Sequence, residues 1–415
     1  MRRASCCLLV LLHNSADGLK PPASATSRRT AITTGAAALT TAAVTTSPAN
    51  AVADNSPERQ YGPLLQGPFD FPAASRATLR REIIPGRIWS FEQVQGFIYV
   101  HIPVRMSVVK LDSGGLFVYA PIGPTDECLR LLSEIEAEHG PVKHILLPTL
   151  ALEHKSFAGA FAGKRPNAQL WVADAQYSFP INLPLPLTGL PANTKRLPST
   201  PEGMSEVPWA DQLPYRVLGP LYEPRPPPFN VGGFQEVACY DTITKTLLVT
   251  DTVISIPSNP PEIVALNDKR ALLYHSRDEP TDVVVDTPEA RRVGWQKIAL
   301  FACYFQSSPL LVPVEPDGSL GTTRRFIEEA FYKDMPPSMR ELGWNGFFAW
   351  RWNRPGKPSW PASFAALQNE GKPVVPPILQ EVVLSREPDN VLAFAQEVAS
   401  AFPFTSILPA HFEYM

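Results

Sequence analysis

Cysteine is scarce. The 415-residue chain has five: Cys6 and Cys7 near the start, then Cys128, Cys239 and Cys303. None of the later three belongs to a C-x-x-C pair, which excludes a zinc ribbon and a paired-thiol redox motif. They read as core residues. Charge is sparse as well, at 19% of residues with a net of -3, so no bulk attraction to nucleic acid follows. Long apolar runs are missing. The run from Cys6 to Leu12 is far short of the roughly 20 residues that cross a bilayer, and no later stretch reaches that length, so no membrane span is expected.

Acidic residues are nearly absent from the first segment. Between Met1 and Ala53 the only one is Asp17, against Arg2, Arg3, Lys20, Arg28 and Arg29 in a Ser-, Thr- and Ala-rich background. That composition is expected of an organelle transit peptide. Within it, Arg28-Arg29 precede the mildly apolar run Ala31 to Val44, and Ala49-Asn50-Ala51 follows. A twin arginine, a weak apolar stretch and an A-x-A site resemble a twin-arginine export signal. The two in tandem point to a chloroplast protein bound for the thylakoid lumen, with a mitochondrial address as the competing reading.

What is abundant is proline, with 46 residues, alongside 44% hydrophobic residues. The chain should bury a core, but through many loops and edge segments rather than as a helical bundle. Residues 1–53 are set aside as the processing segment, 54–86 read as a Pro-rich arm, and 87–415 as one domain. From Ile88 to Val104 and from Ser107 to Ala120, β-branched and aromatic residues signal strands, the second pair turning at Asp112-Ser113-Gly114-Gly115. A helix is expected from Thr125, as N-cap, to His139, stopped by Gly140-Pro141. A strand (Val142 to Leu147), a helix through Phe157 and Phe161, and a strand (Gln169 to Ala173) follow. The order β-β-β-α-β-α-β points to a layered α/β sandwich. Residues 179–228 read as a loop insertion. Phe234 to Tyr240 and Thr246 to Thr250 form a hairpin. Helices are expected near Trp295 to Phe305 and within 322–341, and a last one is capped by Asp389. Residues 343–377 form a second insertion, rich in tryptophan. A final strand, Phe404 to Leu408, precedes His411.

Three places carry candidate chemistry. In Lys143 to Ala162 an apolar strand leads into Glu153-His154. The run LLVTD sets Asp251 just past a strand's end. His411 follows the last strand. Taken singly, each has an ordinary structural explanation as a turn or surface residue. Their order is more informative.

Strand ends bearing Glu153-His154, then Asp251, then His411 resemble the metallo-β-lactamase superfamily over roughly Arg87 to Met415. That resemblance implies an αββα four-layer sandwich with metal ligands at one rim. The superfamily's opening H-x-H-x-D-H corresponds here to Thr149-Leu150-Ala151-Leu152-Glu153-His154, so only its last two positions retain ligand chemistry. A further imidazole would fall near Gly232 and Gly233 and is absent. More closely, LPTLALEH, LLVTDTV, WNGFFAWRWN, PPILQ and ILPAHF are similar to an uncharacterised branch of degenerate members from photosynthetic organisms.

The resemblance implies one metal site in place of two, with Glu153, His154, Asp251 and His411 as ligands. Two imidazoles with one or two carboxylates suit zinc, iron or manganese. Asp251 and His154 are then the candidate catalytic residues. Two functions are open. One is a mononuclear metal-dependent hydrolase of an ester, thioester or phosphoester. The other is a non-catalytic, metal-free binding or assembly factor in the plastid. The partner is a small molecule or a photosynthetic protein, not nucleic acid. His275 could reach the site; His144, His139 and His101 read as structural. The cluster Trp344, Trp350, Trp352 and Trp360 reads as anchoring for the insertion, or as a lid.

Overall fold

The computed structural model describes Arg59 and residues 76–97, 100–177, 183–222, 233–266, 269–277, 283–304 and 360–415. The leader, the helix expected within 322–341, Gly232, and Trp344, Trp350 and Trp352 lie outside these.

The first sheet keeps chain order: β1 (Leu79–Ile84), β2 (Ile88–Phe97), β3 (Val100–Lys110), β4 (Leu116–Tyr119), β5 (Val142–Leu147), β6 (Gln169–Val172) and β7 (Lys195–Arg196). It is antiparallel from β1 to β4 and parallel from β4 to β7. Parallel neighbours need crossovers, and helices supply two of them. Helix α1 (Asp126–His139) links β4 to β5, and α2 (Leu152–Gly163) links β5 to β6. Helix α1 starts as its sequence predicts: Thr125 accepts the Cys128 N–H, Asp126 and Glu127 fill the first turn, and Gly140 ends it at φ 91°.

The second sheet holds β8 (Tyr215–Tyr222), β9 (Gly233–Asp241), β10 (Thr246–Val249) and β11 (Ser406–Pro409), in the order β11-β10-β9-β8. Strand alternation divides the apolar residues among three layers of core. Phe91, Val118 and Ile145 face α1 and α2, meeting Leu132 and Phe161. Phe117, Tyr119 and Leu146 face the second sheet, meeting Val237, Cys239 and Leu248. On that sheet's far side, Ala238, Tyr240 and Leu247 pack under helix α9 (Pro388–Ala401) through Val391, Phe394 and Val398. Helix, sheet, sheet, helix is the four-layer sandwich the sequence led us to expect. Cys128, Cys239 and Cys303 are buried free thiols within it.

The remaining helices are α3 (Pro201–Ser205), α4 (Glu262–Leu266), α5 (Arg270–His275), α6 (Pro288–Tyr304), α7 (Trp360–Gln368) and α8 (Pro377–Val382). A fourth apolar cluster joins α4, α5, α6 and α7 to the sheet edge, and Trp360 packs against it. Among the described residues no helix is long and apolar enough to cross a membrane.

Three expectations change. Within 179–228 there is secondary structure, including β8, an eight-residue strand. Gly219-Pro220 inside it reads as a strand breaker, but β8 is an edge strand with a bulge between Leu218 and Leu221, where a missing N–H is tolerated. The N-cap of α9 is Glu387, not Asp389; Pro388 takes the first helical position, where its fixed φ suits the turn. Strand β1 lies within 54–86 and pairs along β2.

Candidate metal centre

The two sheets deliver the site from three strand ends. Strands β10 and β11 run parallel, with Thr246 opposite Ser406 through Val249 opposite Pro409. Asp251 and His411 each stand two residues past the last pair, so the register itself sets them side by side. From the other sheet, the segment after β5 is stitched to β9. The Val237 N–H donates to the Pro148 carbonyl at 2.8 Å, and Thr149 forms a bridge with Glu236. Helix α2 then begins, and His154 in its first turn is carried to the same rim.

Among the described residues, His154, Asp251 and His411 are the group whose ligand atoms all lie within 4.8 Å of one another. The two imidazoles face each other, Nε2 to Nε2, at 3.2 Å. Asp251 Oδ1 is 3.1 Å from His411 Nε2. All three side chains are largely buried, with 5% of His411 and 17% of Asp251 exposed.

Strand β3 sets the orientation of His411. Its Nδ1 is 3.0 Å from the Pro103 carbonyl oxygen. A carbonyl only accepts, so Nδ1 carries the hydrogen and Nε2 of the neutral ring presents its lone pair. The chain around His411 is clamped by Arg105. Its guanidinium donates to the carbonyls of Pro409 and Phe412 and to Glu92, and its backbone N–H donates to Ala410. Phe412 has φ 59°, an uncommon value for a side-chain-bearing residue, and this clamp holds the turn there.

Glu236 sets the orientation of Asp251. Its fully buried carboxylate accepts from the Thr250, Asp251 and Thr252 N–H groups at 3.1, 2.8 and 3.0 Å. It also accepts from the Thr250 and Thr252 hydroxyls at 2.7 and 2.6 Å. Burial and the Asp251 charge push this carboxyl upward, and the Thr252 and Thr250 hydroxyls and the Asp251 N–H oppose them. Sequence reasoning missed Glu236, as it did Arg105. The available signal was a Gln-Glu pair inside an otherwise apolar strand, FQEVACY, where a charge must find partners.

The charges at the rim are interdependent. Burial pushes His154 down to about 3, helped by His411 and opposed by Asp251. Burial presses His411 down too, but the hydrogen bond and charge of Asp251 hold it above its ordinary value. Burial acts upward on Asp251, and its contacts with His411 and His154 bring it below the usual range. Glu153 is lifted by burial and by Asp251.

These residues fit a divalent cation. Ligand atoms on a tetrahedral ion at 2.0–2.1 Å stand about 3.3 Å apart, close to two of the three separations here, 3.1 and 3.2 Å, with the third inside 4.8 Å. A bare His411 Nε2 aimed at a carboxylate oxygen and a second imidazole nitrogen calls for a positive centre among them. In its absence a proton on His411 serves. Two buried polar atoms, Asp251 Oδ2 and His154 Nδ1, find no protein partner among the described residues. Glu153 stands outside the three-residue group but lines the same cavity as Asp251 and His411. Thr149 is buried, and its hydroxyl accepts the Ala151 N–H at 3.2 Å, so it caps its own turn. His275 ends α5 against the Tyr274 ring, outside the group.

The site opens on a cavity of about 550 Å³. Its polar lining is Gln95, Glu153, Asp251 and His411, and the rest is apolar, including Ile102, Val104, Phe234, Ile254, Phe301 and Leu379.

The sequence matches the family described as Domain of unknown function (DUF4336) over residues 85–415. The chain belongs to the DUF4336 family. No curated protein matches the DUF4336 chain. Among solved structures it is similar to the metallo-beta-lactamase from Pontibacter korlensis, at 12% identity and a TM-score of 0.30, over 49% of this chain and 87% of that one. It is similar to the metallo-beta-lactamase FIM-1 from Pseudomonas aeruginosa in its mono-zinc form, at 10% identity and 0.30, over 56% and 97%. The metal-soaked Flv1 flavodiiron core from Synechocystis sp. PCC6803 aligns at 11% identity and 0.33, over 82% of this chain and 57% of that one.

Proposed function

We propose that the DUF4336 chain is a mononuclear metal-dependent hydrolase of an ester, thioester or phosphoester. The supporting observation is the convergence of His154, Asp251 and His411, with the His411 tautomer set by Pro103. Zinc, iron and manganese all suit two imidazoles and a carboxylate. A bound divalent ion would polarise the substrate's oxygen and make water acidic enough to attack near neutral pH. His154 and His411 would hold it through Nε2, with Asp251 through Oδ1. Asp251 Oδ2, unpaired among the described residues, is then the acceptor for the proton the attacking water gives up. Glu153, lifted above the usual carboxylate range, lies beside it as a group able to return a proton to the leaving oxygen or sulfur.

One ion, not two, follows from Thr149 and Ala151, which stand where the superfamily pattern has imidazoles. Without a second ion to clamp the leaving group, turnover is slow. The test is a panel of aryl ester, thioester and phosphoester substrates with metal-loaded protein. Hydrolysis that is lost on chelation, in His154→Ala and in Asp251→Ala supports the reading. No turnover by loaded wild-type protein on any of the three overturns it and leaves a binding or assembly factor.

We further propose delivery to the chloroplast, in the thylakoid lumen, on the basis of the acid-poor, twin-arginine stretch 1–53. A fluorescent fusion of that stretch expressed in plastid-bearing cells tests it, and a mitochondrial signal would overturn it.

A further inference from the structure

Gln95 is 97% buried, with 3% of its surface exposed, on the cavity wall. Both ends of its carboxamide, Oε1 and Nε2, lack a hydrogen-bond partner among the described residues. It sits in β2 opposite Ile102 of β3, which also lines the cavity. Two residues earlier on the same strand, Gln93 is engaged at one end, its Nε2 donating to Thr78 and Gly123. The contrast matters because a buried amide with neither end paired is costly to keep. Among the described residues nothing pairs with the Gln95 carboxamide; β2 and β3 would pair as well with an apolar residue there.

The surroundings of Gln95 are apolar. Val100, Ile102 and Val104 come from β3, Phe301 and Ala302 from α6, and Leu379 from α8. At about 550 Å³ the cavity is in the range of small-molecule pockets, which pair an apolar wall with a few placed polar groups. The other polar groups in its lining are Asp251 and His411 of the metal centre and Glu153. Gln95 is therefore a polar contact apart from the reacting centre. Its carboxamide offers one acceptor and one donor side by side, and the complement is a group that both donates and accepts, such as an amide.

We propose that this cavity takes the apolar chain of an ester or thioester, and that Gln95 anchors an amide carried on that chain. The assignment of the scissile group rests on the hydrolase reading above; the binding of the chain does not. The substrate is an amphiphile, with its scissile carbonyl near His154 and His411 and its amide paired to Gln95. Gln95 is a specificity-determining residue, not a catalytic one.

The experiment is calorimetric titration of chelator-treated, full-length protein with two probes of matched chain, decanamide and methyl nonyl ketone. The ketone only accepts, whereas the amide also donates. Wild-type protein is expected to bind both, the amide about tenfold tighter, the worth of one added neutral hydrogen bond. Gln95→Met should erase that preference, weakening the amide, which loses two hydrogen bonds, more than the ketone, which loses one, and should raise the melting temperature of the ligand-free protein, since it removes an unpaired buried amide. A structural role for Gln95 would lower that temperature instead. Ala302→Phe, which puts a ring into the cavity, should weaken binding of both probes. The proposal is overturned if neither probe binds wild-type protein, if Gln95→Met keeps the amide preference or melts earlier, or if Ala302→Phe binds as wild type. Because the titration uses metal-free protein, failure of metal binding or turnover would overturn the hydrolase reading alone.

Discussion

The two imidazoles that face each other at 3.2 Å are held by different means. His411 is fixed at both ring nitrogens, by the Pro103 carbonyl on one side and Asp251 on the other, and its turn is clamped by Arg105. His154 is held by packing in the first turn of α2, with its Nδ1 unpaired among the described residues. A ring fixed by hydrogen bonds has its lone pair aimed before any ligand arrives; a ring held by packing has its position set and its tautomer left open. The rim therefore has a rigid side, built by β3, β10 and β11, and an adaptable side, built by α2.

The largest effect should come from breaking the rigid side at its base. Glu236→Ala strips the acceptor from three N–H groups and two hydroxyls, all buried, and should lower unfolding free energy by about 3–5 kcal/mol. Denaturant titration measures it, and metal affinity should fall with it because Asp251 loses its turn. A loss below about 1 kcal/mol, the level of an ordinary surface change, would mean that Glu236 does not organise this turn.

Arg105 separates stability from site geometry. Arg105→Met leaves Glu92 as an uncompensated buried charge, and about 3 kcal/mol should be lost. The double variant Glu92→Leu/Arg105→Met removes both charges and should regain most of that stability, as replaced buried pairs often do. It should not regain metal affinity, because the Pro409 and Phe412 carbonyls still lack their donor. Paired denaturant and metal titrations check this. Equal recovery of both properties would show that the clamp does not position His411.

The two rings should also differ in their protons. Asp251 raises His411 above its ordinary value, so this ring keeps its proton to a higher pH than a free imidazole does. His154, pushed down to about 3, does not. A metal must displace the first proton only, so affinity should climb about tenfold per pH unit below the His411 value and level off above it. For the metal-free fold the signs oppose. The His411 contribution is fully present below about pH 6.5, its unfolded value, and is lost as pH rises through its raised folded value. The His154 contribution is present above about pH 6.5 and is lost as pH falls toward 3. Calorimetry in buffers of different ionisation enthalpy counts the released protons. One per ion agrees with the asymmetry, whereas two would erase it.

The smallest effect is a control on the opposite layer. Thr125→Ala removes the cap of α1, a bond of 3.1 Å to the Cys128 N–H, and should lower stability by about 1 kcal/mol. Metal affinity should not move, because α1 packs on the first sheet and contributes nothing to the rim.

The elements that could be read from local sequence were those whose determinants are local. Thr125, the Asp112-to-Gly115 turn and LLVTD each carry their own turn or cap chemistry, and each stands where it was expected. Strand β8 was missed because it lies in a stretch dense in proline and leucine, and a strand holding Pro220 is tolerated only at a sheet edge, which is a tertiary fact. The parallel pairing of β10 with β11 joins residues 246–249 to 406–409; no local pattern encodes it, yet it makes neighbours of Asp251 and His411. His154 and Asp251 could be proposed because imidazole and carboxylate at strand ends are chemically conspicuous. Arg105 and Gln95 could not, because a polar residue inside a strand looks the same in sequence whether it faces solvent or is buried; only Glu236, in the otherwise apolar FQEVACY, carried a signal.

The hydrolase proposal requires that His154, Asp251 and His411 bind one ion between them. The direct measurement is metal stoichiometry of the purified protein after loading, with X-ray absorption at the metal edge. One ion per chain is expected, with nitrogen and oxygen ligands at about 2.0–2.2 Å, and loss of that ion in Asp251→Ala and His411→Ala. Metal well below one per chain, indifferent to both substitutions, would contradict it.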